Sequence, residues 1–203
     1  MWGGVPLARM SPAERARRLA YVPQSYDGGF RYTIEEFVSM GVTAYLGAFS
    51  RPGRDSLRRA EEVLIRLDGR GLIGRDMDRL SGGERRIAYL ARAVIQDASC
   101  LLLDEPVSSL DFSRQHIFLN RLRRYVKERR SSCLFTIHAP ELACAYADRI
   151  LILYNRGILL DVERDDPFFE KNLRTALSTL YGSGLQADFR DGALVLGWNT
   201  SAE

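Results

Sequence analysis

The sequence predicts an α/β protein: a parallel sheet covered by helices on both faces. Three observations carry this. Ser99 to Asp104, Ser132 to His138 and Arg149 to Tyr154 read as strand-length apolar runs, the pattern of strands buried on both faces. They alternate with helical stretches, as crossover connections require. The first run also ends in Asp104-Glu105-Pro106, and open α/β sheets bind ligands at the carboxyl ends of their strands.

The elements follow in chain order. Ser11-Pro-Ala-Glu14 is a capping box with proline at the first helical position, so a short helix starts there. Leu19 to Gln24 is a strand that Pro23 ends, and Gly28-Gly29 is a loop. Thr33 caps a helix over Ile34 to Met40, with Ile34, Phe37, Val38 and Met40 at roughly helical spacing and Gly41 as its stop. Thr43 to Arg54 is loop-like. Asp55 to Asp68 is amphipathic, with Leu57, Ala60, Val63, Leu64 and Leu67 on one face. Residues 25–79 thus form a mostly helical insert between strands.

Ser81 to Gln96 is helical, and Ser113 to Arg130 is a long helix turning Phe118, Leu122, Tyr125 and Val126 inward. Pro140 to Ala147 is a further helix, and Asn155-Arg156-Gly157 is a turn after the third apolar run. A helix follows Asp165-Asp166-Pro167 as far as about Tyr181. Two short strands, Leu185 to Phe189 and Ala193 to Trp198, flank the turn Asp191-Gly192, so residues 165–203 are a C-terminal helix with short strands. The 203 residues suit one domain, or a core with a smaller insert.

Composition excludes several classes. With 46% apolar and 27% charged residues the chain is neither disordered nor a coiled coil. A net charge of +3, with arginines interspersed among carboxylates, gives no case for a nucleic-acid partner. No apolar run approaches the roughly 20 residues of a membrane span, and Met1 to Arg9 lacks a charged region followed by an apolar one; both point to a cytosolic chain. Cys100, Cys133 and Cys144 are odd in number without C-x-x-C spacing, and read as reduced, small apolar side chains. Lys127 follows Val126 and Lys171 follows Glu170, and these are the only lysines. A phosphate-cradling G-x-x-x-x-G-K-[ST] loop needs lysine directly after glycine, so these residues contain none.

Four patterns carry chemistry. Asp104 and Glu105 leave a buried strand together, and in phosphoryl transfer one such acid holds Mg²⁺ while a neighbour orients or deprotonates water. Alone, the run also fits a strand before a polar turn. Leu80-Ser81-Gly82-Gly83-Glu84 offers an N-cap and open backbone N–H groups at a helix start, an anion site, though S-G-G also makes ordinary loops. His138 and Gln24 stand at strand ends, where each could equally be a polar terminus or turn. His116 sits among polar residues of the long helix and reads as surface or structural.

Taken together, Y-V-P-Q24, L-S-G-G-E84, L-L-L-D104-E-P, S-S-L-D111 and T-I-H138, in this order over about Gly3 to Tyr181, resemble the nucleotide-binding subunits of ABC transporters. The resemblance implies a P-loop NTPase-like (ABC-type) parallel sheet with a helical subdomain insert, acting on ATP with Mg²⁺. It assigns Gln24 to the Q-loop that touches Mg²⁺ or its water. Ser81, Gly82, Gly83 and Glu84 become the signature motif, which binds the γ-phosphate of ATP held by the opposite subunit of a head-to-tail dimer; glutamate replaces the commoner glutamine at 84. Asp104 becomes the metal acid, Glu105 the general base, Ser108 to Asp111 the D-loop at the dimer interface, and His138 the switch histidine.

Tyr-Val-Pro-Gln24, Thr33 to Gly41, Tyr45-Leu-Gly47 and Leu180-Tyr-Gly182 look like the ATPases driving uptake of iron-siderophore, haem and cobalamin complexes. The implied partners are membrane-spanning permease subunits, a second ATP-binding subunit and, indirectly, a periplasmic or surface substrate-binding protein. The implied location is cytoplasmic, peripheral on the inner face of the membrane.

In that family the glycine-rich loop precedes the segment matching Met1-Trp-Gly-Gly, so the resemblance makes this an N-terminally truncated cassette, inactive alone. The family's P-loop strand lies between the strand ending at His138 and that at Ile150 to Tyr154. Without it, unpaired backbone groups in the core predict poor stability and no cooperative melting above about 45 °C. Two roles remain open: an importer ATPase whose loop is encoded upstream, or a non-hydrolysing partner whose signature completes the ATP site of an intact subunit. A soluble ABC protein of DNA repair or translation fits the insert at 25–79 less well.

Overall fold

The computed structural model describes residues 2–24, 31–46 and 50–199. The Gly28-Gly29 loop and Gly47 lie outside the described residues. The chain divides into two compact units, Met1–Ile137 and His138–Glu203.

The first unit begins with α1 (Pro12–Arg18), held by the expected capping box: the Ser11 hydroxyl accepts the Glu14 N–H at 3.2 Å and the Glu14 carboxylate accepts the Ser11 N–H at 2.9 Å. β1 (Leu19–Val22) follows. α2 (Ile34–Ser39) starts at Thr33 with the same reciprocal pair, here with Glu36. α3 (Arg54–Arg66) and α4 (Gly82–Ile95) pack on α2 and on each other, burying Ile34, Phe37, Val38, Ala60, Leu64 and Leu90. These apolar stripes recur at three and four residues, so each helix faces the others along one side.

Gly41 does not end α2 in the expected way. The chain tightens into a 3-10 helix over Met40–Tyr45, and Gly41 sits against α4 so closely that a Cβ would collide with the Arg92 carbonyl and Ile95. It is a close-approach glycine rather than a stop. The Tyr45 hydroxyl then donates to the Gln96 carbonyl at 2.7 Å. The Gln96 amide in turn donates to the carbonyls of Ala16 (2.5 Å) and Leu19 (3.0 Å), joining α1, β1 and the end of α4.

β2 (Cys100–Leu103), α5 (Phe112–Arg129) and β3 (Ser132–Phe135) complete the unit. The three strands are parallel in the order β1-β2-β3, with Val22, Leu103 and Phe135 abreast. Beyond them the Asp104 N–H donates to the Val22 carbonyl at 2.9 Å and the Thr136 N–H to the Leu103 carbonyl at 3.0 Å. This shared register brings all three strand ends to one edge. β3 departs from the expected buried strand over 132–138: it is shorter, and its side chains alternate between exposed and half-buried, with Leu134 54% exposed. Among the described residues β3 pairs with β2 alone, which leaves its second edge less covered than those of the central strand.

In the second unit, α6 (Pro140–Tyr146) precedes β4 (Arg149–Tyr154). β4 pairs antiparallel with β5 (Gly157–Glu163), so the third apolar run is a hairpin arm rather than a parallel strand. The reason is local. Asn155 and Arg156 both adopt positive φ, 48° and 63°, the backbone of a tight hairpin turn whose twist suits the flanking strands. β5 was legible in Ile158-Leu-Leu160 after that turn but was not expected. α7 (Phe169–Tyr181) and the hairpin of β6 (Leu185–Arg190) and β7 (Ala193–Trp198) match the reading, with Asp191 and Gly192 at positive φ. Cys144, Ile150, Val162, Phe169, Leu173, Leu177 and Leu194 form this unit's core. Among the described residues no helix is long and apolar enough to cross a membrane.

Candidate functional site

The carboxyl edge of the three-stranded sheet gathers Gln24, Asp104, Glu105 and Thr136. The Gln24 side-chain amide donates to Glu105 Oε2 at 2.6 Å. The Thr136 hydroxyl donates to Asp104 Oδ1 at 2.7 Å and accepts the Glu105 N–H at 2.8 Å. Glu105 adopts a left-handed backbone, φ 42°, uncommon for a residue with a Cβ. Its carbonyl accepts the Ser108 N–H at 3.3 Å and hydroxyl at 3.2 Å. The chain thus turns sharply off β2 while both carboxylates stay at the edge, half-buried.

These donors are all oxygens, the hard set that suits Mg²⁺. Among the described residues no three His, Cys, Asp or Glu side chains cluster as a metal cage. Mg²⁺ is usually held by one or two carboxylates together with substrate phosphates.

Ser81 to Glu84 form their own cluster at the start of α4. The Ser81 hydroxyl accepts the Glu84 N–H at 3.4 Å, and Glu84 accepts the Ser81 N–H at 2.7 Å. Arg75 pairs with Glu84 at 2.5 Å and reaches the Arg79 carbonyl at 3.3 Å. The Ser81 N–H first, and Arg75 with it, hold the Glu84 carboxyl down to about 2. Among the described residues, nothing beyond its own turn lies within 4 Å of where a Gly82 Cβ would be, whereas Gly83 backs onto Leu110 and Arg114. The first turn is therefore open over Gly82, where the N–H groups and helix dipole favour an anion.

Asp111 caps α5: its carboxylate accepts the Arg114 N–H and the Ser113 hydroxyl, both at 2.9 Å, and these bonds lower its pKa. His138 opens the second unit, two residues beyond Thr136. His116 stacks edge-on with Phe112, ring centres 4.7 Å apart. The three cysteines are free thiols. Sequence reasoning missed Thr136, although it opens the T-I-H run. It also missed Arg75, which no motif marks, and Arg86, a guanidinium on α4 whose Nη1 has no hydrogen-bond partner among the described residues and whose pKa burial lowers against the opposing pull of Tyr89 and Glu105.

Comparison with known proteins agrees with this geometry. The family model for ABC transporters matches residues 2–108. A Helicobacter pylori protein named "Probable iron chelatin transport ATP-binding protein" is 33% identical over 187 residues, covering 92% of this chain and 72% of the relative. A hemin import ATP-binding protein of Pseudomonas putida is 41% identical over 155 residues, 74% of this chain and 59% of its own length. Among solved structures, a metal-chelate type ABC transporter in an inward-facing conformation superposes with a TM-score of 0.74 at 26% identity, covering 89% of this chain and 71% of that one. With its acids at the end of a central parallel strand and a capped S-G-G-E turn heading α4, the chain belongs to the ABC transporter family and has the P-loop NTPase fold of its ATP-binding cassettes.

Proposed function

We propose that this chain is the ATP-binding subunit of an ABC importer and couples ATP binding and hydrolysis to uptake of an iron-siderophore, haem or related metal-chelate complex, with cobalamin in the same class. The observation that carries it is the joined set Gln24–Glu105 and Thr136–Asp104 at the sheet edge. The substrate class is supported by the names of the iron chelatin, hemin and metal-chelate relatives.

In this reading Asp104 and Gln24 hold Mg²⁺, which neutralises charge on the transferred phosphoryl group. Glu105 accepts a proton from the attacking water. Its carboxylate is kept at the edge by Gln24, so the Q-loop reports on the base directly. Ser81 offers its hydroxyl, and Gly82 and Gly83 their N–H groups, to a γ-phosphate carried by a second subunit in a head-to-tail dimer. Asp111, by capping α5, fixes the loop expected at that interface, and His138 takes the part of the switch histidine that contacts a γ-phosphate. The chain sits on the cytoplasmic face of its permease, with a substrate-binding protein acting from the other side.

No lysine among the 203 residues follows a glycine, and this reading still needs a cradle for the β- and γ-phosphates. Two arrangements supply it: an upstream segment of the same gene, or an intact partner subunit whose ATP this chain's signature completes. The second draws on the open, capped turn at Ser81 and Gly82.

Translating the frame upstream of Met1 and co-expressing the chain with permease and a full-length ATP-binding subunit separates them. The partner reading expects a closed upstream frame and ATP hydrolysis in the co-expressed complex that Ser81→Arg abolishes; the importer reading expects an upstream G-x-G-K-[ST] loop and Mg²⁺-dependent hydrolysis. Hydrolysis indifferent to Ser81→Arg and to Glu105→Gln would overturn both.

A further inference from the structure

We infer that Thr136 is a positioning residue for the acid pair, its single hydroxyl fixing both the metal acid and the base. A hydroxyl has one hydrogen to give and lone pairs to accept with. Here the hydrogen goes to Asp104 Oδ1 at 2.7 Å and a lone pair takes the Glu105 N–H at 2.8 Å. The terminal torsion of an aspartate is broad and roughly two-fold, so the first bond selects one orientation of the Asp104 carboxylate. The second ties down the amide of a residue at φ 42°, a conformation that L side chains seldom adopt.

Thr136 itself is held. Its own N–H donates to the Leu103 carbonyl at 3.0 Å, and a β-branched side chain has a stiff first torsion. The geometry of the edge therefore comes from the strand next door, through one oxygen. Serine keeps that oxygen, whereas valine keeps the shape and loses it.

The assignment rests on the reading of Asp104 and Glu105 as metal acid and base. Its test compares wild type, Thr136→Val and Thr136→Ser, each first shown to melt cooperatively. Amide exchange at Glu105, resolved by fragmentation mass spectrometry on the full chain, speeds up about tenfold or more in Thr136→Val, because the amide loses its acceptor. It stays near the wild-type rate in Thr136→Ser. In the co-expressed complex, Thr136→Val lowers kcat for ATP by about tenfold to a hundredfold, as misplaced catalytic groups do. KM for ATP changes little, and Thr136→Ser restores kcat.

Unchanged exchange at Glu105 in Thr136→Val overturns the inference, as does full kcat with fast exchange. If the wild-type complex hydrolyses no ATP, the functional reading fails instead, and exchange at Glu105 alone decides whether this hydroxyl holds the acids.

Discussion

Gln24 donates to Glu105 at 2.6 Å across 81 residues of sequence, so the end of β1 and the end of β2 are joined through their side chains. The contact exists because Val22 and Leu103 are register partners in a parallel pair. Residues just beyond them must emerge side by side. Gln24 thereby touches the carboxylate proposed as the base.

Replacing Glu105 with glutamine removes the base while leaving an oxygen for the Gln24 amide. In the co-expressed complex, ATP turnover should fall by about 10²–10⁴-fold, the usual contribution of general base catalysis. Nucleotide retention on a filter should be preserved. Turnover within about threefold of wild type would remove Glu105 from the chemistry.

The Glu84 carboxyl sits at about 2 instead of its ordinary 4.5, chiefly through the Ser81 N–H and then Arg75. Its folded pKa is depressed, so the stability it contributes is fully present above the unfolded value. That contribution is lost as pH falls from about 4.5 towards 2. Urea midpoints of wild type and Glu84→Gln should differ most above pH 5 and converge near pH 2 to 3. A constant difference across that window would contradict the Ser81–Glu84–Arg75 arrangement.

Gly41→Ala places a methyl group against the Arg92 carbonyl and Ile95. Neither neighbour is a flexible side-chain end, so α2 and α4 must part. The expected loss is about 1–3 kcal/mol, the range for overpacking a filled core, read as a lower melting temperature. Gly82→Ala faces open space and should melt close to wild type.

Burial pushes the Cys133 thiol up to about 12 and Cys144 to about 11. Only thiolates react readily, so alkylation at pH 7.5 should run more than about a hundredfold slower than at an unperturbed cysteine. Denaturant should restore ordinary rates. Fast labelling of Cys144 in the native chain would show that the second unit's core opens.

Much of the architecture was legible because it is local. Serine or threonine three residues ahead of glutamate marked three helix starts, at Ser11, Thr33 and Ser81, since cap and backbone lie within one turn. The order of the motifs was legible too, and with it the family. Strand partnership was less so: Arg149 to Tyr154 reads like Cys100–Leu103, and only two positive φ angles in the following turn send it into a hairpin. Gly41 carries the same letter whether it stops a helix or admits a neighbour.

The sequence by itself determined the chemical inventory: which acids, glycines and caps are present, in what order, and that no lysine follows a glycine. Tertiary structure alone decided which of these meet. Thr136 reaches Asp104 and Glu105 over more than thirty residues, and Arg75 reaches Glu84 across a turn that no motif marks. Capping bonds close within one helical turn, so a short window specifies them. Contacts between strand ends depend on register, which is set by packing over the whole sheet.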